Sequence, residues 1–349
     1  MKKSRISGFF ILFIFVLSLF LLSACNKSVN ETVFAFGTAV NFNLKGKSVD
    51  DTVSGLTALY NGLDGEFDPE ARGDVFRIND ADAFEEIKVS DDTYFMLRLA
   101  KKAYDETDGV FNVATYPLSE VWKFTSKTYS AAEKAYDVPS AEEIEVALSH
   151  SDLDKLELLS DNTVRKTDKN LKISFGALAK GYAGDVAFSD GLIKEGQSGI
   201  LNVGGTIFTV GDGNYKIGIS NPRDSDSDYF GRFELSGNAV ICTSGDYERY
   251  YIGPDGKRYC HILGKDGRPV DNGIISVTVL SLDRTTLSGA ECDYLSTAVF
   301  ALEKEDGKSL AAKYNAGLVI IYNDKTFELF NINPDIFTLK DTEYTLKNV

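Results

Sequence analysis

Histidine and cysteine are scarce in this chain of 349 residues, which contains two histidines, His150 and His261, and four cysteines. Structural zinc sites use four closely set cysteine or histidine ligands, so this scarcity excludes such a site and also a dense disulfide framework. Any bound metal must therefore be held mostly by oxygen atoms. Three of the cysteines, Cys242, Cys260 and Cys292, lie in apolar or strand-like sequence. They are expected to be buried free thiols, because an odd number cannot all pair.

Basic residues are also in the minority, with 37 Lys and Arg against 52 Asp and Glu and a formal net charge of −15. An acidic surface repels nucleic-acid phosphates, and no stretch rich in lysine and arginine offsets that field. We therefore expect no nucleic-acid partner. The chain has 43% apolar residues and only 7 prolines, which excludes a disordered or collagen-like protein. Its length allows one large domain or two smaller ones.

The one long apolar run lies near the N-terminus, from Ile6 to Leu22, and follows three basic residues. Leu22 also begins the tetrapeptide Leu-Ser-Ala-Cys, which ends at Cys25 and is similar to the lipobox of bacterial lipoproteins. This pattern predicts a signal peptide over residues 1–24, lipidation of Cys25 and a lipidated tether over residues 25–32. The alternative is an uncleaved membrane anchor. Both interpretations place the folded part outside the cytoplasm, at the outer face of the cytoplasmic membrane.

The remainder, residues 33–349, is expected to be one α+β domain that is possibly divided into two subdomains. Helices are segregated among long runs of strand, and no linker rich in Pro, Gly or Ser divides the chain. The pattern predicts a first strand over residues 32–44 with a bend at Gly37, and a hairpin over residues 155–174. Helical stripes of apolar residues or capping signals predict helices over residues 53–63, 92–107, 139–149, 178–192 and 291–302.

Single polar motifs are only weak evidence for a metal site, a phosphate site or a catalytic base. Asp293 and Thr297 stand at positions i and i+4 of a predicted helix, so both oxygen groups share one face and can ligate a hard cation such as Mg²⁺. The alternative is an ordinary polar stripe. Gly204 and Gly205 follow an apolar strand and can approach a phosphate or simply form a turn. His261 is either a structural histidine or a proton acceptor.

The order of eight motifs is more specific than any one of them. They are FGTAV (36–40), DVFRIND (74–80), ETDGVFNVATYPLSEVWKF (106–124), ISFGALAKGYAGD (173–185), LNVGGTIFTVG (201–211), TSGDYERYY (243–251), HILGKDGRPV (261–270) and CDYLSTA (292–298). In this order they resemble the FAD:protein FMN transferase family, the ApbE-type flavin-trafficking lipoproteins. The resemblance spans about residues 33–330 and implies a sheet-rich ApbE-like α+β fold with helices packed on antiparallel or mixed sheets.

The resemblance also implies an enzyme that takes FAD as substrate and depends on Mg²⁺. Such an enzyme transfers FMN to a Ser or Thr of an exported electron-transfer flavoprotein and releases AMP. By the family match, the metal takes the backbone carbonyl of Ala177 and the side chains of Asp293 and Thr297. His261 is the implied acceptor of the proton from the hydroxyl of the acceptor protein.

Eight more positions match segments that contact the cofactor in this family. They are Phe36, Phe67, Val110, Phe111, Asn112, Ser174, Lys180 and Val270. Asn112 and Ser174 stand where the family commonly has Asp, so both positions lack a negative charge. Two other functions stay open on the sequence alone. One is a Mg²⁺-dependent FAD pyrophosphatase that frees FMN and AMP, and the other is a non-catalytic flavin-binding lipoprotein.

Overall fold

The computed structural model describes residues 27–125, 128–130, 137–223 and 226–347. The predicted signal peptide and Cys25 lie outside the described residues. Within these ranges, no helix combines the length and the apolar character that crossing a membrane requires.

The described chain contains seventeen β-strands. They are β1 (Lys27–Ala35), β2 (Thr38–Gly46), β3 (Glu86–Lys88), β4 (Leu156–Leu158), β5 (Thr163–Lys166), β6 (Ser198–Val203), β7 (Thr206–Val210), β8 (Asn214–Ile219), β9 (Gly231–Ser236), β10 (Val240–Gly245), β11 (Tyr250–Ile252), β12 (Arg258–Cys260), β13 (Ile274–Ser281), β14 (Gly317–Tyr322), β15 (Thr326–Phe330), β16 (Phe337–Leu339) and β17 (Thr345–Leu346). One sheet has the order β1-β2-β6-β7-β10-β13-β14-β15-β17. All its neighbouring strands are antiparallel except the β15–β17 pair, which makes it a mixed sheet. Three small sheets, β16-β9-β8, β3-β5-β4 and β11-β12, complete the set.

Eight α-helices occur in the described residues. They are α1 (Val49–Phe67), α2 (Asp74–Asp80), α3 (Asp91–Glu106), α4 (Tyr116–Val121), α5 (Ala141–Ser149), α6 (Ala179–Ser189), α7 (Gly289–Ala301) and α8 (Lys304–Lys313). All five helices predicted from the sequence are present with shifted ends, while α2, α4 and α8 were not predicted. The capping signal before α5 is confirmed, because Ser140 and Glu143 form a reciprocal capping box. The α+β prediction is therefore confirmed.

The N-terminal part differs from the sequence prediction in two ways. Residues 27–32 were assigned to a tether, but they belong to β1 and pair with residues 41–46 of β2. The single strand predicted over residues 32–44 is a hairpin, because Phe36 and Gly37 both have positive φ angles, 55° and 67°. Two consecutive residues of this kind form a two-residue turn whose twist matches that of the flanking strands.

The large sheet separates two apolar cores. Leu318 and Ile320 of β14 face the helix-covered side, while Val319 and Ile321 face the small sheet β16-β9-β8. Helix α7 lies on the helix-covered side, where it contacts β10, β13 and α6. A third cluster joins α4 and α5 to the β11-β12 hairpin. The three cysteines of the described chain are buried free thiols, which confirms that prediction.

Helices α6 and α7 approach each other closely at Gly181. A Cβ atom built on Gly181 would lie 2.1 Å from the carbonyl oxygen of Gly289 and 2.6 Å from the backbone nitrogen of Ala290. Both neighbours are backbone atoms, so they cannot move aside as a flexible side chain does. Only glycine therefore fits at this point of α6.

We expect Gly181→Ala to lower the free energy of unfolding by about 3 kcal/mol or more, because the added methyl group forces α6 away from α7. Urea unfolding measures the change. Gly62→Ala on α1 is the matched control, since no atom lies within 4 Å of a Cβ built there. That control should raise stability by about 0.5–1 kcal/mol through helix propensity. Wild-type stability for Gly181→Ala would contradict the close helix contact.

Candidate active site

Asp293 on α7 is the buried carboxylate at the centre of the candidate site, with 4% of its surface exposed. Its Oδ2 accepts a hydrogen bond from the backbone nitrogen of Gly181 at 3.2 Å, and its Oδ1 accepts one from the Thr206 hydroxyl at 3.4 Å. The ammonium group of Lys180 lies 3.3 Å from the carboxylate. The close contact between α6 and α7 thus places a carboxylate beside the first turn of α6.

Thr297 lies one turn after Asp293, and its hydroxyl donates to the Asp293 carbonyl at 3.5 Å. The hydroxyl of Ser244, at the end of β10, lies 3.2 Å from the Thr297 hydroxyl and 2.8 Å from that of Ser296. Both residues lie on α7, as predicted, and their joint role as metal ligands stays a prediction. Oxygen atoms of the Asp293 carboxylate and of the Ser244, Ser296 and Thr297 hydroxyls line the region where α6, α7 and β10 meet.

The donor set fits a hard cation. Within the described ranges, no group of three or more His, Cys, Asp or Glu side chains is arranged to hold a metal. A metal here would instead use one carboxylate together with hydroxyl and carbonyl oxygens, which are the donors that Mg²⁺ prefers. The ammonium group of Lys180 is itself held by such oxygens, since it contacts the Asp293 carboxylate and lies 2.8 Å from the carbonyl of Gly176. Gly176 immediately precedes Ala177, which the resemblance implies as the carbonyl ligand.

His261 follows β12 directly, and its ring is held through one nitrogen. Nδ1 lies 3.2 Å from the backbone carbonyl of Arg249, which can only accept, so Nδ1 carries the proton. Nε2 makes no hydrogen bond to any residue that the structure describes. Burial, aided by the positive charges of Arg249 and Lys180, lowers the pKa of His261 to about 4. At neutral pH the ring is therefore neutral and has a free lone pair on Nε2.

Phe36 and Gly37 form the tip of the β1–β2 hairpin. The backbone nitrogen of Phe36 donates to the carboxylate of Asp64 on α1 at 2.8 Å, which holds the tip against the helix. Partial burial raises the pKa of Asp64. The Phe36 ring is partly buried against Tyr60 with centroids 6.1 Å apart, so its remaining surface is available for an aromatic ligand.

Two of the predicted cofactor-contacting aromatic residues lie in the core. Phe67 is 4% exposed and packs on Phe175 and Tyr182, and Phe111 is 3% exposed and packs on Tyr294. Both rings are therefore mainly core side chains. A direct contact of either ring with the flavin stays a prediction.

Asn112 uses its side chain within the protein. Its Nδ2 donates to the carbonyl of Ser151 at 2.6 Å, and its Oδ1 accepts from the backbone nitrogen of Ala114 at 2.8 Å. The amide thus fixes the loop after α3, and this use requires a donor that Asp lacks. Val113, the next residue, is linked to the segment before α6, because the backbone nitrogen of Ser174 donates to the carbonyl of Val113.

The remaining predicted contacts lie around the same loops. Ser174 is partly exposed and its hydroxyl accepts from the backbone nitrogen of Gly176 at 3.4 Å. Val110 is partly buried, as is Val270, whose nitrogen donates to the carbonyl of Ile262. That hydrogen bond ties Val270 to the segment that carries His261.

Comparison with known proteins identifies the family. The model of the ApbE family matches residues 36–321 of the chain. The chain belongs to the ApbE family. The resemblance noted in the sequence is therefore confirmed, as is the ApbE-like fold.

Relatives within the ApbE family carry the name FAD:protein FMN transferase. The protein of that name from Klebsiella pneumoniae (strain 342) is 32% identical over 240 residues, which cover 68% of this chain and 71% of that protein. The one from Vibrio cholerae serotype O1 is 27% identical over 328 residues, covering 89% and 93%. Among solved structures, the ApbE protein from Thermotoga maritima superposes with a TM-score of 0.76 at 29% identity, covering 87% of this chain and 97% of that one. The flavin transferase ApbE from Vibrio cholerae shares the fold, with a TM-score of 0.73 at 24% identity, covering 88% and 97%.

Several residues of this ApbE-family site were missed by sequence reasoning. Asp185 on α6 accepts hydrogen bonds from the backbone nitrogens of Gly289 and Ala290, at 2.7 and 2.9 Å, and so anchors the N-terminus of α7. Burial raises the pKa of Asp185 to about 6. Asp64 and Ser244 were also missed. Asp185 lies in the AKGYAGD motif, but no local pattern shows that its partner is a helix more than one hundred residues further along the chain.

Proposed function

We propose that this chain transfers FMN from FAD to a Ser or Thr hydroxyl of an exported electron-transfer flavoprotein and releases AMP, in a reaction that depends on Mg²⁺. The observation that carries the proposal is the neutral His261 ring with its free Nε2, which is within electrostatic range of Lys180, the cation that contacts Asp293. A base for a hydroxyl and a cradle for a cation are the two elements that phosphoryl transfer to an alcohol requires. The names of the ApbE-family relatives support the same reaction.

His261 acts as the base in this proposal. The Arg249 carbonyl accepts from Nδ1, so the ring is fixed with the Nε2 lone pair available to the acceptor hydroxyl. As Nε2 takes the proton, the hydroxyl oxygen bonds to the flavin-side phosphorus of FAD. The bond from this phosphorus to the bridging oxygen breaks at the same time, and AMP leaves with the electron pair.

Asp293, Thr297 and Ala177 would hold the magnesium ion through a carboxylate, a hydroxyl and a backbone carbonyl. When bound, Mg²⁺ supplies positive charge that neutralises the diphosphate of FAD. Lys180 contacts the carboxylate of Asp293. If Mg²⁺ bound this carboxylate instead, the ammonium group of Lys180 would be available to pair with a phosphate oxygen. Phe36, at the hairpin tip, offers a partly exposed ring to the flavin.

Incubation of the purified protein with FAD, Mg²⁺ and a candidate exported flavoprotein domain tests the proposal. An acceptor mass increase equal to an FMN moiety, together with AMP, is the expected result. Replacement of the target Ser or Thr of the acceptor by Ala should abolish the increase. Free FMN and AMP without labelled protein would instead identify a pyrophosphatase. Unchanged FAD would identify a flavin-binding protein.

We also propose that the chain is a lipoprotein anchored at the outer face of the cytoplasmic membrane through Cys25. The signal-like sequence over residues 1–24 and the small residues before Cys25 support this localisation. Cys25→Ala should move the protein from the membrane fraction to the soluble fraction or leave an uncleaved precursor without lipid label. Ser28→Ala, at an exposed position of β1, is the control and should keep both lipid label and membrane association. A Cys25→Ala protein that still carries lipid label would contradict the assignment.

A further inference from the structure

Arg249 lies between two parts of the candidate site. Its backbone carbonyl accepts the hydrogen bond from Nδ1 of His261, so the two residues are held side by side. Its guanidinium group reaches the hairpin tip, because a Cβ atom built on Gly37 would lie 3.3 Å from Nη2. One residue thus spans the distance from the proposed base to the proposed flavin contact at Phe36.

The guanidinium group of Arg249 has no partner in the described part of the chain. No carboxylate lies within 4.0 Å of it and it makes no side-chain hydrogen bond, although the residue is partly buried. Arg223 provides a contrast, since it forms two 2.7 Å contacts with Asp246 of the same turn. The carboxylate of Glu248 acts on Arg249 only from beyond ion-pair distance, so the guanidinium donors stay available to an anionic ligand.

Two cations, Lys180 and Arg249, lie in this part of the site, and the exposed carboxylate of Glu248 is within electrostatic range of both. Lys180 and Arg249 both act on His261 and hold its pKa low, which locates both cations near the same ring. Lys180 is already paired with Asp293, so Arg249 is the cation of the two that remains without an ion pair among the described residues. An arginine also presents a planar fork of donors that matches phosphate oxygens in a bidentate manner.

We infer that Arg249 binds the diphosphate of FAD, at the phosphoryl group that is transferred. The inference rests on the proposed function, because the position of the reacting phosphorus follows from His261 acting as the base. In the transition state the equatorial oxygens of this phosphoryl group carry the charge that a neighbouring guanidinium stabilises. The guanidinium group lies near the hairpin tip at Gly37, and the backbone carbonyl of the same residue holds the ring of His261.

Binding of FAD and riboflavin to the full-length protein separates this role from a structural one. Both molecules carry the isoalloxazine ring, but only FAD carries the diphosphate. Arg249→Gln should weaken FAD binding by roughly 10- to 100-fold and leave riboflavin binding within about twofold of wild type. Arg249→Lys should be intermediate for FAD, because it keeps the charge and loses the fork. Flavin fluorescence titration at saturating Mg²⁺ measures both affinities.

Arg268→Gln is the matched control, since it removes the same charge from an exposed position on the turn after His261. It should change neither affinity. Equal weakening of FAD and riboflavin by Arg249→Gln would overturn the inference, because it would show that the side chain only supports the hairpin tip. Unchanged FAD binding would overturn it as well, and so would a wild type that binds riboflavin as tightly as FAD. A wild type that binds FAD but labels no acceptor would refute the proposed function alone.

Discussion

In a transfer assay titrated with Mg²⁺, Asp293→Asn is expected to need at least about 100-fold more Mg²⁺ than the wild type for its half-maximal rate. Asp293 is the one carboxylate in the proposed donor set, so its replacement removes the formal negative charge of that set. A neutral amide oxygen is a much weaker ligand for a hard cation. The loss of Mg²⁺ affinity should therefore be larger than the loss seen when a residue that only positions a metal ligand is replaced.

The substitution by Asn keeps the fold intact for this test. Asp293 is buried, so Ala would leave a cavity, whereas an Asn oxygen can still accept from the nitrogen of Gly181. Asp190→Asn, at the exposed C-terminal end of α6, is the control for the change in net charge and should titrate like the wild type. Superimposable Mg²⁺ curves for wild type and Asp293→Asn would remove Asp293 from the metal site. Thermal unfolding of both variants monitors stability.

The parts of the site that depend on local spacing could be predicted from the sequence. The i and i+4 spacing of Asp293 and Thr297 depends only on the helix, and the structure places both residues on α7. Capping signals before α5 and glycines at turns act within a few residues in the same way. These patterns can be recognised in the sequence because each depends only on residues that are close together in the chain.

Contacts between distant segments could not be predicted in this way. The pattern around Gly37 indicates a bend, but the positive φ of Phe36, which turns one strand into a hairpin, is adopted against the preference of a bulky residue. The Asp64 carboxylate that accepts from the Phe36 nitrogen helps to hold that conformation, and Asp64 lies on a different element. Likewise, the packing of Phe67 against Phe175 and of Phe111 against Tyr294 joins distant segments, so local spacing could not predict their burial.

His261→Asn is expected to slow FMN transfer by roughly 100- to 10,000-fold and to leave FAD affinity nearly unchanged, because a general base acts on the transition state. The side-chain nitrogen of Asn can still donate to the carbonyl of Arg249, so the variant removes the Nε2 lone pair with little loss of local structure. His150→Asn is the matched control, since His150 pairs with Asp168 and is not part of the proposed mechanism. Single-turnover rates of acceptor labelling measure the effect.

The pH profile of the wild type gives an independent test of the same assignment. The base form of His261 is the neutral ring, and burial with nearby positive charge lowers its pKa to about 4, from an ordinary value of 6.5. The ring is therefore half protonated near that pH and mostly deprotonated at neutral pH. The acidic limb of kcat/KM should lie near pH 4, because this ratio reports the free enzyme. A limb near pH 6.5 would mean that the imidazole is solvated in the working protein, and a limb retained in His261→Asn would assign the titration to another group.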